Sequence, residues 1–349
     1  MQARPSIEPA PQPAPPPVLS VRGLRVQIPG RRGTLDALRD VTFDVGAGEI
    51  LGVVGESGAG KSLTGQAIIG LLEPPLRISG GQILFEGQDL ARLDPAAMRR
   101  LRGARIGAIF QDPLTSLNPL YTIGKLLVET IRTHLPLSSA RARERALTML
   151  TQAGIPAAAE RFHHYPHQFS GGMRQRAVIA LALCANPRLV IADEPTTALD
   201  VSMQAQIIAL LKQLCGEHGA SVMLVTHDMG VIAEAAQRVC VMYAGRIVET
   251  GPVRAVAGQP RHPYSQGLMG AIPRIRRANG PLTQIEGAMP RLDAVPSGCA
   301  FHPRCPRRFA PCDRIVPEPW PVGEGDGAAA HGVAAHTAAC HLYAPEFKP

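Results

Sequence analysis

The stretch Gly55-Glu56-Ser57-Gly58-Ala59-Gly60-Lys61-Ser62, followed by Leu63, decides how the rest of the chain is read. Two glycines five positions apart and a closing Lys-Ser pair form the pattern of a phosphate-binding loop. The surroundings are those the pattern requires: a β-rich apolar run, Ile50 to Val54, leads into it and a helix-like segment leads out. Glycines let backbone N–H groups converge on phosphate oxygens, and the helix that follows offers its positive end. Lys61 then reaches the β and γ phosphates and Ser62 ligates magnesium. A glycine turn that only joined a strand to a helix would not need the Lys-Ser pair. The expected ligands are therefore ATP and Mg2+.

Outward from this loop, Leu189 to Ala192 and Val222 to Val225 are further continuous apolar runs bounded by turn signals. Such runs suit strands buried on both faces of a mostly parallel sheet. Between Pro113 and Phe169 the apolar positions follow helical spacing instead, as in Ile123, Leu126, Leu127 and Ile131, then Ala146, Leu147 and Leu150. A helical subdomain, about residues 113–170, is expected there. Residues 1–18 hold seven prolines among small and polar residues and are expected to form a disordered leader. After Gly251 the chain turns rich in Pro, Arg and His, which sets an expected boundary between a domain of residues 19–251 and an extension of residues 252–349.

The apolar run Leu189 to Ala192 ends in Asp193-Glu194, which places one carboxylate to hold magnesium and the next to orient water. Acid pairs at strand ends are common, but this one follows a phosphate loop. The net charge of +8 is small for 349 residues and decides little between nucleic acid, membrane and nucleotide partners. The basic run Arg99, Arg100, Arg102 and Arg105 reads as a solvated helix face. No stretch approaches the roughly 20 apolar residues of a membrane span, and no charged-then-apolar leader begins the chain. Of seven cysteines, Cys184, Cys215 and Cys240 sit in apolar surroundings and read as small core residues.

With these residues in place, a resemblance becomes specific. Ser170-Gly171-Gly172-Met173-Arg174-Gln175-Arg176 resembles the signature sequence of ABC ATPases, just upstream of Asp193-Glu194 as in that family. Gln111 in Phe110-Gln-Asp-Pro113 resembles the family's Q-loop, Ala198-Leu-Asp200 its D-loop, and Thr226-His227-Asp228 its switch histidine. Six motifs in family order cover roughly residues 19 to 250. The resemblance implies an α/β fold: an ABC-type ATPase with a mostly parallel sheet core, an antiparallel β subdomain, an inserted helical subdomain and a small Cys-rich C-terminal extension. Two departures stand out. Met173 replaces the usual Gln of the signature, and Ile28 stands where the family usually stacks an aromatic ring on adenine.

Arg261-His262-Pro263-Tyr264, the Gly298-Cys299 to Cys305-Pro306 segment and Cys340-His341 resemble the extension of oligopeptide and dipeptide importer ATPases, to which glutathione and nickel importer subunits are related. The spacing of Cys299, Cys305, Cys312 and Cys340 matches neither common zinc sites nor the usual ferredoxin runs and leaves the metal open. The resemblance implies a four-iron four-sulfur cluster, with zinc as the alternative.

The resemblance also implies a mechanism. Two such domains close head to tail over two ATP molecules, each phosphate loop facing the Ser170-Gly171-Gly172 of the opposite chain. Lys61 and magnesium, the latter on Ser62, Gln111 and Asp193, serve the phosphates; Glu194 serves the attacking water, His227 the γ-phosphate, Gln111 also passes γ-phosphate status to the membrane subunits, and Asp200 counts among the nucleotide-binding residues. The implied partners are two transmembrane permease subunits, a second related ATPase and, indirectly, a solute-binding protein, with the chain peripheral on the cytoplasmic membrane face. A non-transport ABC ATPase acting on nucleic acid is the rival class. Sustained heptads or a second phosphate loop would favour it, and neither occurs.

Overall fold

The computed structural model describes residues 16–30, 33–197, 199–271, 285–323 and 336–347. Most of the expected leader lies outside these residues. Its last residue, Val18, belongs to the fold, because it is buried and its N–H donates to the Val45 carbonyl at 2.8 Å.

β1 (Leu19–Gly30) and β2 (Gly33–Val45) form an antiparallel pair, and β3 (Ile50–Val54) runs into the phosphate loop and α1 (Lys61–Ile68). β4 (Arg77–Phe85) and β5 (Gln88–Asp89) complete a four-stranded sheet in the order β2-β1-β4-β5, the expected antiparallel subdomain. Next come α2 (Pro95–Leu101) and β6 (Ile106–Ile109). The basic run around α2 divides: Arg99 and Arg100 are exposed, whereas Arg102 donates to the Ile69 and Gly70 carbonyls and Arg105 pairs with Glu86. It is thus only partly a solvated face.

The helical region holds α3 (Pro113–Ser116), α4 (Ile123–His134), α5 (Ser139–Gln152) and α6 (Ala158–Arg161), and leads into α7 (Gly171–Leu183). Thr122 and Ser138 accept hydrogen bonds from backbone N–H groups three residues on and so cap α4 and α5. The i, i+4 spacing of Ile123, Leu127 and Ile131 turns one face of α4 inward, where all three are buried.

β7 (Leu189–Asp193), α8 (Val201–His218), β8 (Ser221–Thr226), α9 (Met229–Ala235), β9 (Arg238–Tyr243) and β10 (Arg246–Pro252) finish the main body. β6, β7, β8, β3 and β9 lie parallel in that order, and β10 turns back antiparallel. All five residues of β3 and all six of β8 are buried, as continuous apolar runs in a two-sided parallel sheet require. The register pairs Val54 with Thr226 and Asp193 with Val225, so the loops leaving β3, β7 and β8 emerge together along the edge formed by the strands' carboxyl ends. In open α/β sheets that edge is where ligands bind.

The expected boundary near Gly251 is not a gap in packing. α10 (Val253–Gly258) and α11 (Pro263–Gly270) bury Val253, Val256 and Tyr264 in the same apolar core as the sheet, and Phe301 joins them. β11 (Pro319–Pro321) and β12 (Thr337–Ala339) then add to β10, which makes the large sheet eight-stranded among the described residues. The extension therefore completes the main sheet.

Candidate functional site

The phosphate loop owes its shape to glycines that no other residue could replace without movement. At Gly55 a Cβ would stand 2.3 Å from the Met242 carbonyl oxygen, and Gly60 has φ +102, which side-chain-bearing residues rarely adopt. Gly60 caps α1 without a side-chain acceptor, so the first N–H groups of that helix have no side-chain cap. Ala59 is buried while Ser57 and Gly58 are exposed, and Leu63 packs partly into the core beneath.

Lys61 is buried and donates through Nζ to the carbonyls of Gly55, at 2.8 Å, and Glu56, at 3.1 Å. Burial pulls its pKa down, against the opposing charges of Glu194, Asp193 and Glu56. Ser62 Oγ donates to Asp193 Oδ1 at 2.8 Å, so β3 and β7 bring together a hydroxyl and a carboxylate suited to a hard cation. Burial raises the pKa of Asp193, partly offset by the Ser62 hydrogen bond.

Glu194 follows with φ +47, a left-handed conformation unusual for a residue with a side chain. Backbone strain of this kind costs of order 1–3 kcal/mol and gathers at functional positions. Its amide is held by the Val225 carbonyl at 2.8 Å. Its carboxylate is ringed: Thr197 Oγ1 donates at 2.7 Å, Gln111 Nε2 at 3.2 Å, and His227 Nδ1 stands 3.4 Å away. Burial alone would push the Glu194 carboxyl up, but the Thr197 and His227 hydrogen bonds and the His227 and Lys61 charges outweigh it and hold it below the usual range. Such a carboxylate can orient a water and accept its proton.

The sequence motifs are thus partly assembled within one chain. Loop, Asp193, Glu194, Gln111 and His227 share the sheet edge. Gln111, expected among the magnesium ligands, is turned to Glu194. Thr197 was missed, although a hydroxyl three residues past the Glu was the available signal. Ser170 and Asp200 instead cap α7 and α8, accepting from Met173 N and Met203 N. Gly171 and Gly172 lie against Leu199 and Met203, and no described hydrogen bond joins residues 170–172 to the phosphate loop. Ala198 is outside the described residues. Ile28 is half-buried on β1 and pairs with Leu35.

In the extension, Cys299, Cys305, Cys312 and Cys340 line a single small cavity. Burial raises the thiol pKa of Cys299, Cys305 and Cys340, and the nearby backbone N–H groups of Phe301, Arg307 and Leu342 offset part of that rise. Burial pushes the Cys299 thiol up to about 12 and Cys340 to about 11. Among the described residues no three Cys, His, Asp or Glu side chains are grouped so as to hold a metal ion as they stand.

Two family profiles match the chain: ABC transporter over residues 38–197, and the oligopeptide/dipeptide transporter C-terminal region over residues 248–312. The dipeptide transport ATP-binding protein DppD of Bacillus subtilis is 50% identical over 301 residues, which cover 86% of this chain and 90% of that protein. The chain belongs to the ABC transporter ATP-binding family, in its oligopeptide/dipeptide branch. A second relative of this ABC protein is the oligopeptide transport ATP-binding protein OppD of Salmonella typhimurium, 46% identical over 308 residues, covering 88% and 91% of the two chains. The fold agrees with that of the ATP-binding cassette MJ0796, solved as a post-hydrolysis dimer with ADP and Pi. It superposes with a TM-score of 0.61 at 29% identity over 68% of this ABC chain and 99% of that one.

Proposed function

We propose that this chain hydrolyses ATP at the edge of its parallel sheet to drive import of di- or oligopeptides through two membrane permease subunits, paired with a second, related ATPase and served indirectly by a solute-binding protein. The observation that carries the reading is the clustering of Lys61, the Ser62–Asp193 pair and the ringed Glu194 at one sheet edge, in a chain whose peptide-transport relatives match it over 86% and 88% of its length. No described helix is long and apolar enough to cross a membrane, which fits a peripheral subunit on the cytoplasmic face.

Ser62 and Asp193 would hold magnesium, which neutralises phosphate charge and orients the oxygens when bound. Lys61 exchanges its loop carbonyls for phosphate oxygens. Glu194 orients the attacking water and takes its proton, with Thr197 fixing the carboxylate. Gln111 and His227 bond the same carboxylate from two loops, so each senses the γ-phosphate end of the site. Ser170, Gly171, Gly172 and Asp200 lie on helix starts that suit the partner's nucleotide across a head-to-tail dimer.

Residues 19–251 form the nucleotide-binding unit, with residues 113–170 its helical part, and residues 252–349 the extension. In the extension the four cysteines line one cavity and would hold a four-iron four-sulfur cluster once their side chains turn together. Zinc is the alternative ligand of the same thiols. The cluster's role is structural: it would hold together a Pro-rich segment of low apolar content.

The test uses the chain purified with its permeases, partner ATPase and solute-binding protein. Binding protein loaded with a di- or oligopeptide should stimulate ATP hydrolysis, whereas nickel or glutathione should not. Stimulation by nickel or glutathione alone would reassign the solute, and absence of hydrolysis would overturn the reading.

A further inference from the structure

One peptide unit of the phosphate loop is gripped from both sides. The Gly55–Glu56 peptide gives its carbonyl oxygen to Lys61 Nζ at 2.8 Å, while its N–H donates to the Tyr264 hydroxyl at 2.8 Å. The orientation of this peptide therefore sets where Lys61 is held, and the second grip comes from the extension. Tyr264 is fully buried, with its ring 4.7 Å from Tyr243 and 5.4 Å from Phe301, so its hydroxyl has little freedom.

The same loop residue is gripped again through its side chain. Arg304 Nη1 donates to Glu56 Oε1 at 3.1 Å and Oε2 at 3.2 Å, and to the Tyr243 hydroxyl at 3.4 Å. The other nitrogens of Arg304 are committed to the extension: Nε to the Glu286 carbonyl at 2.9 Å and Nη2 to the Gly287 carbonyl at 3.2 Å. The Arg304 side chain is only 8% exposed and that of Glu56 29%, so the pair is partly shielded from solvent, more than an ordinary surface ion pair. A rigid arginine fork with every nitrogen engaged transmits position rather than mere charge.

We propose that Tyr264 and Arg304 are positioning residues of the nucleotide site: through Glu56 they fix the phosphate loop, and with it Lys61, in the form that receives ATP. This rests on the ATPase reading above and extends it, because it assigns the extension a part in nucleotide affinity. Neither residue touches the reacting atoms. The effect falls on binding, with the chemistry of bound ATP left largely intact.

The test is MgATP binding and steady-state hydrolysis by the full chain in its transporter complex. Arg304→Met and Tyr264→Phe should each raise the Kd and KM for ATP about five-fold, the equivalent of one hydrogen bond, with kcat changed less than about two-fold. Arg304→Lys should recover part of the loss. Glu56→Gln combined with Arg304→Met should bind no more weakly than either alone, because both remove the same link. Should Arg304→Met fail to fold, Tyr264→Phe, which removes a single oxygen, carries the test. Unchanged Kd in Tyr264→Phe and in a folded Arg304→Met overturns the proposal, as do additive effects in the double variant. Failure of the unaltered chain to bind MgATP would instead sink the ATPase reading itself.

Discussion

His227 Nδ1 stands 3.4 Å from Glu194 Oε1, across from the Thr197 hydroxyl that donates to Oε2 at 2.7 Å. The carboxylate is thereby held from both sides, and its acidity and direction are set by residues from two different loops.

Glu194→Gln should keep ATP binding and lose most turnover, by roughly 100-fold or more, because an amide cannot take the proton of the attacking water. The check is nucleotide binding and ATP hydrolysis measured on the same complex. Hydrolysis close to that of the unaltered protein would remove Glu194 from its role.

Ile28→Tyr should tighten ATP binding by about 1 kcal/mol if the new ring stacks on adenine. Ile28 lies half-buried at the end of β1, where an aliphatic side chain offers no π face. A direct titration decides it, and unchanged affinity would mean that the base is held elsewhere.

Gly55→Ala should abolish measurable ATP binding, since its Cβ would meet a backbone oxygen at 2.3 Å and the loop would have to move. Retention of normal affinity would show that this backbone can shift freely.

Stability should depend on pH through Glu249. It is buried, accepts N–H groups from Arg261 and His262 at 2.8 Å each, and meets His336 Nε2 at 2.7 Å. Burial opposes its ionisation, but these partners outweigh burial and hold its carboxyl below the ordinary 4.5. The unfolded chain therefore binds more protons in acid, so this stabilisation is complete above pH 4.5 and is lost as pH falls through the lower folded value. Glu249→Gln should cost about 2 kcal/mol at pH 7, with the gap to the unaltered protein closing below pH 4.5. Thermal melts of both proteins across that range provide the comparison, and a gap independent of pH would contradict it.

The sequence disclosed what depends on short, contiguous spacing. Ile50 to Val54 is β3 residue for residue, and Ile123, Leu127 and Ile131 turn inward as their period requires. The phosphate loop and Asp193-Glu194 were legible because their chemistry demands fixed residue types at fixed offsets. What sequence could not disclose were the long-range partners: Thr197 as a lock on Glu194, Tyr264 and Arg304 on Glu56, and the strand pairing that joins the extension to the sheet. These depend on which loops meet in space, and neither periodicity nor composition encodes that. The change of composition at Gly251 likewise marks where the extension begins but carries no sign that the chain returns to pair with β10.

That return has a consequence for synthesis. β10 receives its outer neighbour only when residues 337–339 have been made, so during translation its edge stays bare and competent to pair with another chain. Glu249 meanwhile waits in β10 for His336. A message truncated within the extension would therefore yield a chain whose nucleotide-binding body is nearly whole yet prone to self-association, and quality control would meet it first as an aggregate.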